Sequence, residues 1–480
     1  MNKNIRTRFA PSPTGSMHIG NLRTALYAFL FARAHQGRFI LRIEDTDQER
    51  YVDGATQVIY NTLKIAGLTH DEGPDIGGDY GPYIQSERKN IYRKYAEELV
   101  QTGAAYYCFC SKETLEQTKT EEGYNRRCRS LSEEEIHQNL VAGKPYVIRQ
   151  KMPVEGKTTF FDTVFGEITV ENNLLDDQIL LKSDGFPTYN FANVVDDHLM
   201  QITHVMRGSE YLSSNPKYLL LYQALGWNTP EWIHLPLILG KNADGTVSKL
   251  SKRQGATGFQ ELIEEGYLPE AIVNYIALLG WSPKNDREIF SLPELIESFT
   301  IQGINKSPAI FDYQKLDWIN SQHIQQLTAG QFAALAFPYS QTAGTFLENH
   351  WNNLAGLLQS RLHRLTQIPE MIAFLYELKP YDPELFVHPK NKSTKESSLQ
   401  WINAILDLLQ PLEDWTAETL KDMLSRFSEA HNLKFGQLMW PLRIAVSGLA
   451  VTPGGGIEIM AMIGKEETFR RLIYAKRLLN

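Results

Sequence analysis

Apolar positions change their period several times along the first hundred residues. Residues 6–10 read as a short strand. Leu22, Ala25, Leu26, Phe29 and Leu30 then recur at helical spacing within residues 20–34. The run RFILRIE at 38–44 alternates as a strand does, and 52–66 and 91–101 return to the helical period. Strand, helix, strand, helix predicts an α/β fold with a parallel sheet and crossover helices. The texture changes near residue 105. Residues 108–129 are polar and cysteine-bearing, and 146–170 hold short alternating runs (VIRQKM, TVFGEITV) that read as antiparallel strands. Beyond Gly185 the α/β texture returns, with a helix over 219–225 and a strand over 232–239. Helical patterns such as 271–279 and 312–320 follow, and past Gln322 strand candidates nearly vanish. Pro453, Gly454, Gly455 and Gly456 predict a turn between two helices. The organisation is an α/β domain split by an insertion and followed by an all-α tail.

Composition narrows this picture. A chain of 480 residues exceeds one hydrophobic core, and 42% hydrophobic content is that of a globular protein. The formal charge of −8 argues against a surface that is basic throughout, but leaves room for a local basic groove. Three cysteines fit a reducing compartment. There is no apolar run of membrane-spanning length, and the first residues lack the apolar core of an export signal. The expected location is therefore cytoplasmic, with no membrane partner.

Two stretches are candidates for chemistry. PSPTGSMHIGN at 11–21 lies between the first strand and first helix. Its prolines and glycines stiffen a turn and bring backbone close to a ligand, and the helix behind it offers unpaired N–H groups to phosphate. KLSKR at 249–253 places three cations within five residues after a glycine-containing loop. Each alone is better read as something plainer: a tight βα turn with a surface histidine, and a solvated basic loop.

Together they resemble the two signature sequences of class I aminoacyl-tRNA synthetases. RFAPSPTGSMHIGNLRTAL (8–26), RIEDTDQERY (42–51), LLKSDGFPTYNFANVVDDHLM (180–200), KLSKR (249–253) and FGQLMWPLRIAVSG (435–448) are similar, in order, to the bacterial glutamyl-tRNA synthetases. One departure is Asn21, where the His-Ile-Gly-His form has a second histidine. The resemblance implies a doubly wound, Rossmann-like catalytic domain over 1–104 and 187–255, and an α+β insertion over 105–186 that grips the tRNA acceptor end. It also implies a mainly helical stem-contact domain over 256–322 and an all-α anticodon-binding region of two subdomains over 323–480. The implied reaction joins L-glutamate to ATP as glutamyl-adenylate, then transfers it to the 2′-hydroxyl of the terminal adenosine of glutamate tRNA. An alternative is a non-discriminating form that also charges glutamine tRNA.

Site residues follow by similarity. His18, Lys249 and Lys252 carry catalysis; Gly20, Asn21, Glu210, Ile238, Ser251 and Arg253 join them around ATP and its Mg²⁺. Arg8, Ala10, Ser12, Glu44, Tyr189, Asn193 and Arg207 hold glutamate. In that set Arg8 and Arg207 read the side-chain carboxylate, and Glu44 pairs with the ammonium. Two guanidiniums facing a carboxylate discriminate against glutamine, whose NH₂ would meet donors. Arg50 lies near the terminal adenosine, and Arg361 reads the third anticodon base. Some relatives bind Zn²⁺ through Cys-x-Cys, a third Cys and a fourth ligand. Cys108, Cys110 and Cys128 match the cysteines and Tyr124 the fourth position; three metal-free thiols remain the other reading. Residues 431–480 carry seven Lys and Arg against three Glu, a local +4 suited to RNA or to an ordinary solvated helix face. The family suggests a monomer.

Overall fold

The computed structural model describes residues 5–47, 52–118, 124–242, 244–251, 254–255, 257–340 and 350–480. Two compact units emerge: Met1–Glu264 with Pro269–Ile319, and Glu265–Leu268 with Asn320–Asn480.

The first unit begins with β1 (Arg6–Phe9), α1 (Ile19–Ala34) and β2 (Arg38–Leu41). β1 and β2 run parallel, with Arg6 opposite Arg38 and Phe9 opposite Leu41. α1 is apolar beyond its predicted stripe: Ala25 to Ala32 are all buried, as befits a helix covered on every side. Its return to β2 requires Gly37, where a Cβ would fall 2.3 Å from the Ile5 carbonyl oxygen. α2 (Ala55–Ile65) and α3 (Lys89–Gln101) follow the predicted alternation.

The insertion contains β3 (Ala105–Cys108), α4 (Lys112–Thr118), α5 (Glu133–Val141), β4 (Val147–Gln150), β5 (Lys157–Asp162), β6 (Gly166–Glu171) and β7 (Ile179–Leu181). β3, β4 and β7 form an antiparallel sheet, and β5 and β6 an antiparallel hairpin. The hairpin is not a separate layer. β5 joins the parallel sheet through Asp162, which pairs with Trp232.

The chain then re-enters the α/β layer through α6 (Tyr189–Leu199), β8 (His204–Gly208), α7 (Asn215–Ala224) and β9 (Glu231–Leu235). β8 and β9 are parallel, with Arg207 opposite His234. The Thr203 N–H donates to the Arg6 carbonyl at 2.9 Å, which ties the start of β8 to β1. The single strand expected over 232–239 is two strands, β9 and β10 (Ile238–Lys241). Pro236 lacks the N–H a continuous ladder needs, and its carbonyl accepts from Arg23 instead. β11 (Val247–Lys249) turns back antiparallel on β10, and β12 (Ala309–Phe311) pairs with β10 in parallel. α8 (Phe259–Glu264), α9 (Pro269–Leu278), α10 (Leu292–Ser298) and α11 (Tyr313–Gln326) complete the unit, α11 running on into the second.

The second unit is helical, and β12 is the last strand among the described residues. Its core forms where Phe435–Ser447 and Lys395–Leu409 pack on Gly456–Leu479, burying Leu438, Leu442, Ile402, Ile405, Ile459 and Leu472. Gly464 breaks that last helix with φ +80°. Arg471, one of the cations of the basic tail, is buried and donates to the Phe374 and Val446 carbonyls. It therefore adds packing, not surface charge. No helix among the described residues is long and apolar enough to cross a membrane.

Candidate active site

The first signature stretch pairs through the backbone with the chain that follows the second. His18 pairs antiparallel with Gly258. Ile19 N–H donates to the Thr257 carbonyl at 2.9 Å, and Phe259 N–H to the Met17 carbonyl at 3.1 Å. The start of α1 thus lies beside the chain emerging from the KLSKR segment. Gly15, at φ +116°, provides a turn that few other residues would adopt. His18 caps α1: its Nδ1 accepts from the Gly20 N–H at 3.0 Å. A nitrogen that accepts carries no proton, so the neutral ring holds its proton on Nε2. Ser12 and Asn21 are exposed beside it, and Ala10 and Gly20 half-buried.

On the other side, Ile238 is buried in β10 and Lys249 is exposed at the end of β11, opposite Leu239. Ser251 donates from its backbone N–H to Gln254 Oε1 at 2.8 Å. Glu210 is exposed on the 3₁₀ turn Ser209–Ser214 that follows β8. Lys252, Arg253 and Arg50 lie outside the described residues.

The amino-acid candidates converge at the C-terminal ends of β1 and β8. Arg8 and Arg207 are both buried, and Arg8 Nη1 donates at 3.2 Å to the carbonyl of Met206, the neighbour of Arg207. Their surroundings differ. Arg8 grips Asp197 with Nε at 3.1 Å and Nη2 at 3.3 Å. Asp197 also accepts from Arg42 Nη1 at 2.8 Å, and Arg42 Nη2 donates to Glu44 at 2.9 Å. Arg88 and Tyr92 complete this buried cluster on Asp196, at 2.7 and 2.8 Å. Arg207 instead donates from Nε to His234 Nε2 at 3.2 Å and from Nη2 to Asn215 Oδ1 at 2.5 Å. Its guanidinium carbon lies 4.4 Å from the centre of the Tyr218 ring. No carboxylate among the described residues is within ion-pair distance of it, so its positive charge is buried among neutral groups.

The titrating groups reflect the same contrast. Burial pushes Asp197 up, but Arg8 and Arg42 outweigh it and hold the carboxyl below its ordinary value. Burial wins at Glu44, which sits above its ordinary value despite Arg42. Both hydrogen bonds from Arg42 and the one from Gln85 fall on Oε1 of Glu44. Oε2 accepts from none of them. Burial, then the charge of Glu44, raises the Tyr189 phenol well above its ordinary value, so it remains a donor. Asn193, one turn along α6, donates to the Tyr189 carbonyl at 2.7 Å.

Sequence reasoning missed Arg42, Asp196, Asp197, Asn215 and His234. A signal existed: the Asp pair stands within the apolar NFANVVDDHL helix, and His234 within the apolar strand EWIHL. Buried polar groups require partners.

In the insertion, the Sγ atoms of Cys108, Cys110 and Cys128 all lie within 4.8 Å of one another. Tyr124 Oη is 3.3 Å from Cys108 Sγ and 3.8 Å from Cys110 Sγ. A tetrahedral zinc with bonds of about 2.3 Å separates its sulfurs by about 3.8 Å, so this donor set fits the ion. The hydrogen bond with Cys128 pulls the Cys108 thiol down to about 4, against burial and with help from Tyr124.

Arg361, in the second unit, is exposed just beyond the helix Trp351–Gln359. Burial, and then the charge of Arg361, lower Arg443 from its ordinary value.

Comparison with known proteins is consistent along the whole chain. The profile of the tRNA synthetases class I (E and Q) catalytic domain matches residues 4–318, and that of an anticodon binding domain matches 331–476. A glutamate–tRNA ligase of Clostridium botulinum is 53% identical over 479 residues, 98% of each chain. That of Clostridium novyi is 53% identical, covering 98% of this chain and 97% of its own. Among solved structures, a glutamate tRNA ligase from Elizabethkingia meningosepticum in complex with its amino acid superposes with a TM-score of 0.89 at 37% identity, covering 100% of both chains. With the first signature segment paired through the backbone to the chain that follows the second, and relatives matched end to end, the chain belongs to the glutamate–tRNA ligase family of class I aminoacyl-tRNA synthetases.

Proposed function

We propose that this protein activates L-glutamate with ATP and transfers it to the 2′-hydroxyl of the terminal adenosine of glutamate tRNA. The observation that carries the reading is Arg207, a buried guanidinium held by neutral groups and thus short of one anion. A substrate side-chain carboxylate supplies it, with Arg8 and the Tyr189 phenol beside it. Glu44 Oε2 takes the ammonium, and Ala10, Ser12 and Asn193 line the remainder of the amino acid.

ATP lies over the start of α1, with Gly20, Asn21 and the Nε2–H of His18 at its phosphates, Ile238 at the base and Glu210 at the ribose. Lys249, Ser251, Lys252 and Arg253 close over the phosphates. Mg²⁺ bound with ATP would supply charge neutralisation at the phosphates. A glutamate α-carboxylate oxygen bonds to the α-phosphorus as pyrophosphate leaves. The 2′-hydroxyl then attacks the acyl carbon, AMP leaves, and orientation supplies most of the rate in both steps. Arg50 and the insertion (105–186) hold the acceptor end, residues 256–322 the stem, and 323–480 the anticodon, read in part by Arg361. Cys108, Cys110, Cys128 and Tyr124 would hold Zn²⁺, which would fasten the insertion.

Aminoacylation with purified tRNAs tests this. Glutamate tRNA is charged with glutamate and glutamine tRNA is not. Efficient charging of both would establish the non-discriminating form, and charging of neither would refute the proposal.

A further inference from the structure

An arginine can only donate hydrogen bonds. The Nε–H of Arg207 points at His234 Nε2 over 3.2 Å, so that nitrogen must present its lone pair. The proton of the neutral ring then belongs on Nδ1, which lies 2.7 Å from Asp162 Oδ2. Burial, the largest influence on His234, favours the neutral ring, and the charge of Arg207 acts in the same direction. Asp162 is completely buried and is itself fixed. Its Oδ2 accepts the His234 N–H at 3.1 Å, and its Oδ1 accepts those of Val164 at 3.0 Å and Phe165 at 2.8 Å. Three strands thus place one chain of contacts: Asp162 at the end of β5, His234 on β9 and Arg207 on β8.

We propose that Asp162 and His234 are positioning residues for the glutamate site: Asp162 selects the Nδ1–H tautomer of His234, whose Nε2 then accepts from Arg207 and sets its guanidinium plane. This rests on the reading of Arg207 as a glutamate ligand. Without the acceptor at Nε2, the guanidinium turns about its stem and loses the substrate carboxylate. With the opposite tautomer, two N–H groups face each other and the same happens.

Steady-state aminoacylation by the full chain, with saturating tRNA, provides the test. H234L is expected to raise the KM for glutamate about tenfold, the scale of one lost hydrogen bond to a charged group, with the KM for ATP unchanged. H234Q restores it to within about threefold, because its Oε1 reaches the place of Nε2. H234N, which reaches only the place of Nδ1, does not restore it; the Gln–Asn pair carries the test should H234L fail to fold. D162N raises the glutamate KM in wild type and adds little to H234Q, since effects that act through one residue are not additive. Equal glutamate KM in the Gln and Asn variants, or a parallel rise in the KM for ATP, overturns the proposal. R207K separates the two claims. If it leaves the glutamate KM unchanged, the reading of Arg207 fails. If it raises that KM while H234N does not, only the positioning role fails.

Discussion

Two buried cationic regions adjoin in the catalytic unit, and they are built on opposite principles. Around Arg42, the guanidiniums of Arg8, Arg42 and Arg88 are matched by the carboxylates of Glu44, Asp196 and Asp197. Around Arg207, every hydrogen-bond partner is neutral. Burying a charge costs several kcal/mol unless something compensates it. In the first region the chain compensates itself, so Arg42, Arg88, Asp196 and Asp197 are architecture, and Glu44 and Arg8 are anchored by it. In the second no carboxylate touches the guanidinium, Asp162 standing behind His234, and a ligand carboxylate can pair with it directly. Burial alone therefore does not identify a binding arginine; the charge of its partners does. Arg8 stands between the two cases, already paired with Asp197 and next in space to the strand of Arg207.

The comparison breaks most visibly at Asp197. Replacing it with Ala leaves Arg8 and Arg42 facing each other without their shared carboxylate. The expected loss is about 3–5 kcal/mol of stability, measured by urea unfolding. R207M is expected to do the reverse. The relief of burying one uncompensated charge offsets the two acceptors left without donors, so ligand-free stability stays within about 1 kcal/mol of wild type. The glutamate KM of R207M rises by the equivalent of about 2–5 kcal/mol. L-glutamate at a hundred times its wild-type Kd raises wild-type stability by about 2.7 kcal/mol and that of R207M by less than about 1 kcal/mol. A large loss of ligand-free stability in R207M would make Arg207 architecture too.

The cysteine cluster sharpens the same distinction with a smaller effect. One thiol is held low and two others face it, a donor set that fits a cation as the surroundings of Arg207 fit an anion. Metal analysis is expected to find about one zinc per chain, and chelation to lower the unfolding temperature by a few degrees. C128S should abolish both.

How much of this was legible beforehand depends on where each signal lies. α1, β1 and β2 are contiguous, and their periods show in the chain itself. The motif residues His18, Arg8 and Arg207 came from resemblance to a family, because a lone Arg in a strand has no distinguishing period. Pro236 could have shown that 232–239 is two strands, since a proline ends a ladder. Asp162 and His234 were out of reach because their meeting depends on register: Asp162 opposes Trp232, and so lies beside the next residue but one. Arg471 misled the charge count of the tail, since composition cannot tell a surface cation from one donating to buried carbonyls. The second histidine position, Asn21, is exposed, and its backbone N–H donates to the His18 carbonyl at 2.9 Å.

The smallest expected effect lies within the paired region, where two of the three carboxylates around Arg42 titrate in opposite directions. Asp197 is held below its unfolded value of about 3.9. Its contribution is complete above that value and is lost as pH falls through the folded one. Glu44 is raised above its unfolded value of about 4.3. The folded chain there holds the proton more tightly than the unfolded one, so stability falls as pH rises from the unfolded value to the folded one. E44Q should therefore flatten the loss on the alkaline side of pH 4.3 and leave the acid-side gain, while D197N should do the converse. Unfolding midpoints between about pH 3 and 7 measure both slopes. Glutamate ties this back to the unpaired side of the site. Its ammonium favours ionised Glu44, so binding within that interval releases a proton from wild type and none from E44Q, which buffer-dependent calorimetry reads directly. Equal proton release from the two would mean that the ammonium is held elsewhere.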